Sequence, residues 1–185
     1  YGPALTLGGG EVTLLDMAYA YSVFANSGVM AGQPVPVSQT RSGFRELDPV
    51  AILRIEKNDR TVLSSCGPDG DAPCEFPGPS TQPVLSLELA YLMNHVLSDE
   101  RARIPAFGHP NPLELGRPAA AKTGTTNNYV DSWTVGYTPQ LVAGVWVGNS
   151  DSSGMIGVSG SKGAAPIWNA VMTYALRALS LPPVG

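Results

Sequence analysis

Three short runs near the C-terminal end limit the folds open to this chain. Ala119–Thr123, Tyr129–Tyr137 and Gln140–Gly148 are dense in β-branched and aromatic residues, which predicts three strands. Tyr137-Thr138-Pro139-Gln140 is a tight connection, so the last two runs predict an antiparallel hairpin. A Gly/Ser loop follows from Asn149 to Gly163. Pro166 then stands where a first helical turn tolerates proline, opening an apolar helix over Ile167–Leu179.

The N-terminal part supplies further helices. Thr13 can cap a helix, with Asp16 in capping-box register, and Leu14, Met17, Ala18, Tyr21, Phe24 and Ala25 recur at helical spacing. Asn26-Ser27-Gly28 stops it in a left-handed cap, and the prolines at 34 and 36 predict an extended stretch. Two short strands are expected at Ala51–Ile55 and Thr61–Ser64 around an Asn58-Asp59 turn. Ser86 caps a second helix with the apolar stripe Leu89, Leu92, Met93 and Val96, which leaves His95 on the solvent side. Residues 65–83 read as loop, and 98–118 as a second long connection broken by Pro105, Pro110 and Pro112. Helices early and late around an antiparallel sheet make the class α+β, without internal repeats.

Composition bounds the function. The 185 residues suit one domain or a large piece of one, and Tyr1 in place of Met suggests a piece of something longer. The charged fraction is 14% against 43% hydrophobic, which opposes disorder, while Gly 21 and Pro 17 demand many loops. A net charge of −4 without any basic run argues against nucleic acid. No apolar stretch reaches the ~20 residues of a membrane span, and no signal peptide opens the chain. Cys66 and Cys74 flank a Pro/Gly/Asp loop. Zinc would need further ligands, and His95 and His109 are not at ligand spacing. The pair reads as a disulfide clip stabilising by roughly 2–3 kcal/mol in an oxidising compartment, with two free thiols as the alternative.

Lys122-Thr123-Gly124-Thr125-Thr126, at the end of a predicted strand, is the segment with the most chemistry in it. A lysine on a strand edge offers positive charge to a carboxylate, and the threonine hydroxyls beside it supply oriented donors. Gly124 lets a ligand approach the backbone, and the Thr125 N–H can face a developing oxyanion. K-T-G occurs in serine β-lactamases and penicillin-binding proteins, but also often by chance.

The surroundings strengthen the match. Leu7–Gly28 (L-G-G-G-E-V-T-L-L-D-M-A-Y-A-Y-S-V-F-A-N-S-G) resembles the segment of class A penicillin-binding proteins that follows their second catalytic motif. Arg117–Pro139, Leu141–Asn149 and Gly163–Trp168 resemble the third motif and its continuation. The likeness runs nearly end to end over 1–185, weakest at 65–83 and 98–116. It implies the β-lactamase/transpeptidase-like fold, an antiparallel sheet flanked by helices, of which this is the C-terminal portion: a strand and K-T-G region at 119–148 and a terminal helix at 166–179. The implied parent is a cell-wall synthase with a membrane anchor, acting outside the cytoplasm. Its implied reaction is D,D-transpeptidation of the D-Ala-D-Ala stem peptide through a serine acyl-enzyme, which β-lactams also form, with no metal or organic cofactor. By that resemblance Lys122 and Thr125 recognise the terminal carboxylate and the Thr125 N–H completes the oxyanion hole. Thr123, Gly124 and Thr126 border the substrate.

Of two further family motifs, one is absent and the other is misplaced. No serine has Asn two residues on, so S-x-N is absent, and the one S-x-x-K, Ser159-Gly160-Ser161-Lys162, lies after K-T-G in a glycine-rich loop instead of opening a helix before it. It reads as a decoy. The nucleophile is therefore expected outside these residues, and the missing N-terminal half of the domain is an expected partner. A D,D-carboxypeptidase or β-lactamase, in which water replaces the acceptor amine, and a non-catalytic binding module remain as alternatives. Other chemistries fall away: there is no P-loop, the glycines at 157, 160 and 163 lack dinucleotide-site context, and adjacent Asp99 and Glu100 point apart. Asp131 and Trp133 are expected to brace the strand pair. The three tryptophans, Trp133, Trp146 and Trp168, are expected in the core.

Overall fold

A computed structural model describes residues 2, 3, 5, 8–65 and 79–183. The chain divides into two compact units, residues 1–28 with 86–185, and residues 29–85. Cys66 and Cys74 lie outside the described residues.

The larger unit is built on a three-stranded antiparallel sheet, β6 (Ala120–Thr125), β7 (Asp131–Thr138) and β8 (Leu141–Gly148), in the order β6-β7-β8. The hairpin expected across Pro139 is present, with Thr138 opposite Leu141. Side chains alternate across this sheet. Ala121 of β6, together with Leu141, Ala143 and Val145 of β8, packs around the buried Trp168 and Met172 of the terminal helix α4 (Ala164–Ala178). Ala120 and Tyr137 pack on the opposite face, with Tyr21 and Phe24 of α1 (Leu14–Ala25) and Leu97 of α2 (Leu87–Ser98). Gly136 is where α4 comes closest: a Cβ there would stand 2.4 Å from Trp168 Cζ2 and 2.7 Å from Ala120 O.

Local signals account for the helix ends. Thr13 Oγ1 accepts the Asp16 N–H at 3.1 Å and donates to Asp16 Oδ2 at 2.7 Å, and Ser86 Oγ accepts from Leu89 N–H at 3.4 Å. Ser27 and Gly28 take positive φ, and the Gly28 N–H closes α1 on Val23 O at 2.7 Å. On the sheet side of the α2 end, Tyr137 Oη meets Asn94 Oδ1 at 2.5 Å while Asn94 Nδ2 donates to Phe24 O at 3.1 Å. That network ties α1, α2 and β7 together. Burial, with Tyr21 beside it, pushes the Tyr137 hydroxyl well above the usual tyrosine range.

Four expectations need correction. The α2 stripe of Leu89, Leu92, Met93 and Val96 is exposed, and the helix buries Ala90 and Leu97 instead. Residues 98–118 are not all connection, because α3 (Glu100–Phe107) forms with Pro105 inside it. Asp99 caps α3 by accepting the Ala102 N–H at 3.0 Å, and the Arg103 guanidinium is buried against Leu97 O. Desolvation lowers the pKa of that guanidinium. Of the three tryptophans only Trp168 is fully buried; Trp133 is half-buried and Trp146 is 41% exposed. The terminal helix begins at Ala164, before Pro166, so the proline occupies its third residue.

In the smaller unit, β1 (Val29–Pro34) pairs antiparallel with both β2 (Leu47–Asp48) and β5 (Ser80–Pro83). β5 falls inside the stretch 65–83 that reads as loop, a further correction. The expected hairpin is β3 (Arg54–Glu56) with β4 (Val62–Ser65), turned through Arg60 at positive φ, and its first strand starts later than the sequence suggests.

Candidate functional site: the open edge of the K-T-G strand

Strand β6 ends in Lys122-Thr123-Gly124-Thr125, and its register fixes what each residue presents. Lys122 lies opposite Val135, Thr123 opposite Thr134, Gly124 opposite Trp133 and Thr125 opposite Ser132. The Thr126 N–H donates to Asp131 O at 3.1 Å. In an antiparallel ladder such pairs alternate, so Gly124 and Lys122 also direct their backbone groups at β7. Thr123 and Thr125 therefore turn theirs to the other edge. No strand is bonded along that edge among the described residues.

Side chains divide differently. Lys122 and Gly124 leave the sheet on the α1/α2 face, while Thr123 and Thr125 leave on the α4 face. The Lys122 ammonium nevertheless returns to the edge, where Nζ donates to Thr123 O at 2.6 Å. The Lys122 ammonium, the Thr123 carbonyl that accepts it and the Thr125 N–H thus share one rim. Lys122 and Thr125 are exposed, and Thr123 and Gly124 half-buried. At Gly124 the packing itself favours glycine, since a Cβ would stand 3.3 Å from Trp133 Cβ.

Thr126 faces elsewhere. Its Oγ1 donates to Asp131 Oδ2 at 3.0 Å and accepts the Asp131 N–H at 2.7 Å. Asp131 Oδ1 accepts from Trp146 Nε1 at 2.8 Å, so this carboxylate braces the end of the strand pair in the manner expected of it.

Behind β6, the loop 159–163 packs on the α4 face of the sheet. Ser159 sits in a turn ahead of α4, with its Oγ 3.0 Å from Ser161 Oγ, and does not open a helix with Lys162 one turn away. Its neighbour Gly160 donates its N–H to Thr125 Oγ1 at 2.9 Å. The buried Ser132 hydroxyl holds the same loop through Ser159 O at 3.0 Å, and the buried Thr134 hydroxyl lies between Trp133 O at 2.8 Å and Gly160 O at 3.3 Å. Sequence reasoning missed these three residues, because they join the K-T-G strand only through three-dimensional packing. Among the described residues no cluster of three or more His, Cys, Asp or Glu side chains is placed to hold a metal.

No protein-family model matches the sequence. The chain is 33% identical to penicillin-binding protein 1A of Aquifex aeolicus over 94% of its length, and 28% identical to penicillin-binding protein 1C of Escherichia coli over 97%. Its homologues are class A penicillin-binding proteins. The chain spans about a fifth of the length of these curated relatives, 20% and 18%. Among solved structures, the PonA1 protein of Mycobacterium tuberculosis in complex with penicillin V aligns with a TM-score of 0.65 at 27% identity, over 94% of this chain and 41% of that one. Penicillin-binding protein 1A of Haemophilus influenzae aligns with a TM-score of 0.67 at 24% identity, over 98% of this chain and 29% of that one, a likeness of fold. The mixed helix and antiparallel-sheet fold thus matches part of a penicillin-binding transpeptidase domain.

Proposed function

We propose that this chain is the carboxylate-gripping part of a peptidoglycan D,D-transpeptidase. In this reading the Lys122 ammonium and the Thr125 hydroxyl hold the terminal carboxylate of a D-Ala-D-Ala stem peptide. The Thr125 N–H, at the open edge, stabilises the oxyanion formed when a serine attacks the penultimate carbonyl. Such a donor contributes roughly 3–4 kcal/mol to lowering the barrier. The peptide lies along β6 as an added strand, taking the outward backbone groups of Thr123 and Thr125. Gly124 keeps the approach open, and Thr126 borders the site while its hydroxyl secures Asp131. β-Lactams present the same carboxylate beside a strained amide and acylate the same serine.

The serine comes from outside these 185 residues, because the chain carries no S-x-N and its one S-x-x-K lies in the loop behind β6. By itself the chain is inert. Its partner is the remaining half of the domain, and the exposed apolar stripe of α2 supports that reading, since Leu89 is 53%, Leu92 57% and Val96 67% exposed. The reaction takes place outside the cytoplasm, on a membrane-anchored parent; no helix among the described residues is long and apolar enough to cross a membrane.

The observation that carries the proposal is the shared rim, where the Lys122 ammonium reaches Thr123 O beside the outward Thr125 N–H. The test is product analysis on the full-length protein given a D-Ala-D-Ala peptide and an amine acceptor. Formation of the aminolysis product is expected. Hydrolysis alone would make it a carboxypeptidase, and no acyl-enzyme at all would make it a binding module.

A further inference from the structure

Thr125 does not stand free on its strand. Its Oγ1 accepts the N–H of Gly160, a buried residue in the loop ahead of α4, at 2.9 Å. A threonine hydroxyl has one proton and two acceptor sites. With an N–H already pointing at the oxygen, the hydroxyl cannot also aim its own proton there, so that proton is left to donate outward. Donation into the oxygen also polarises the O–H, which strengthens it as a donor.

Gly160 is itself held from both sides. Its carbonyl accepts the Ala165 N–H of the first turn of α4 at 2.9 Å and lies 3.3 Å from the Thr134 hydroxyl, whose proton it shares with Trp133 O at 2.8 Å. A Cβ at Gly160 would stand 2.6 Å from Gly124 O, 2.9 Å from Trp133 O and 3.0 Å from Thr123 Cβ, atoms of the sheet that cannot swing aside. Only glycine brings the loop close enough for the N–H to reach Thr125.

Ser132 lies directly across the ladder from Thr125 and is fully buried. Its Oγ donates to Ser159 O at 3.0 Å and accepts the Ala164 N–H at 3.0 Å. One hydroxyl therefore pins the residues on either side of the 160–163 turn, and supplies the cap that α4 does not get from Gly163.

We propose that Gly160 and Ser132 are positioning residues for carboxylate recognition: Ser132 fixes the turn, and the Gly160 N–H sets the Thr125 hydroxyl to donate toward the ligand. The inference rests on the reading of β6 as a carboxylate-binding edge. It is separable from that reading by comparing benzylpenicillin with its methyl ester, which has the same reactive amide and no carboxylate.

The experiment measures second-order acylation rates of both compounds with the full-length protein and two variants that each remove one buried hydroxyl. Ser132→Ala is expected to lower the rate with the acid about tenfold while leaving the ester within about twofold. Thr134→Val, which removes a hydroxyl shared between Trp133 O at 2.8 Å and Gly160 O at 3.3 Å, gives the same pattern more weakly, at about threefold. The ester rate doubles as a check on folding, since it needs an intact nucleophile. An equal fall for acid and ester makes Ser132 merely structural and overturns the proposal, as does an unchanged acid rate in both variants. A wild-type protein that does not distinguish acid from ester overturns the carboxylate-edge reading itself.

Discussion

Replacing Lys122 by alanine tests the role of the open edge most directly. The Lys122 ammonium donates one N–H to Thr123 O at 2.6 Å, and its exposed position leaves the other two to water. A carboxylate arriving at the rim exchanges those waters for charge-assisted hydrogen bonds. Such bonds contribute about 1.5–3 kcal/mol when formed in a protein site, against about 0.2–1 kcal/mol for an ion pair left in full solvent. Lys122 is exposed before binding and covered by the ligand afterwards, so the low end of the first range applies. With about 1.4 kcal/mol for each tenfold change in rate, Lys122→Ala should reduce acylation at least about tenfold. Lys122→Arg should recover part of the loss, because it keeps the charge but brings a planar fork in place of a compact donor. The assay is acylation of the full-length protein by a fluorescent penicillin under second-order conditions, repeated as salt is raised. Salt should slow the wild type more than Lys122→Ala, since only the former has this charge to screen. A rate unchanged by Lys122→Ala would remove the lysine from recognition and leave the K-T-G edge without its electrostatic purpose.

Three further outcomes follow from the same geometry. Incubated alone with penicillin, the 185-residue chain should gain no covalent adduct on any serine, Ser159 included; intact-mass spectrometry that finds one would defeat the assignment of the nucleophile to residues elsewhere. Gly136→Ala places a methyl 2.4 Å from the buried Trp168 ring and 2.7 Å from Ala120 O, and overpacking between such partners costs about 3 kcal/mol, at the upper end of its usual range. Urea unfolding followed by tryptophan fluorescence should show a lower midpoint, and an unchanged one would mean that α4 can slide away from β7. Burial raises the pKa of both Tyr137 and Tyr21 above the unfolded value, so the folded state keeps protons that the unfolded chain releases. Their contribution is complete below about pH 10 and is lost as pH rises through the folded values. Tyr137→Phe should therefore flatten the alkaline fall of the urea midpoint; a fall as steep as wild type would assign it to other groups.

What could be read from sequence tracks how local the cause is. The caps at Thr13 and Ser86 and the stop at Gly28 use neighbours within a few residues, and each element begins or ends where those residues predict. The β6-β7-β8 runs were legible because β-branched and aromatic residues crowd between unmistakable turns. α2 shows the limit of periodicity. Leu89, Leu92, Met93 and Val96 make a sound apolar stripe, but spacing reports that a face is apolar and not what covers it. The face that packs in this chain carries Ala90 and Leu97 with Asn94, whose amide is spent on Phe24 O and Tyr137. α3 was hidden by Pro105, although Asp99 followed by Glu100 is a helix-start signal that outweighs a proline near the end of eight residues. β5 escaped because Ser80–Pro83 has no strand composition and is held by β1, far away in the chain.

The K-T-G edge raises one competing explanation. Lysine on an exposed edge strand is also an ordinary means of keeping a sheet from pairing with another chain, and β6 has an edge that needs such protection. Charge alone meets that need, and a lysine that wards off strands gains nothing from precise neighbours. Here the neighbour is fixed. The Thr125 hydroxyl takes a hydrogen bond from Gly160, Gly160 fits only because it lacks a side chain, and Ser132 spends a buried hydroxyl on the turn that carries it. None of that improves protection of the edge, and some of it is demanding to build, since a buried hydroxyl must find partners for its polar atom. An exposed cation beside a hydroxyl immobilised in this way fits the proposed binding of an anion in one orientation better than it fits edge protection alone.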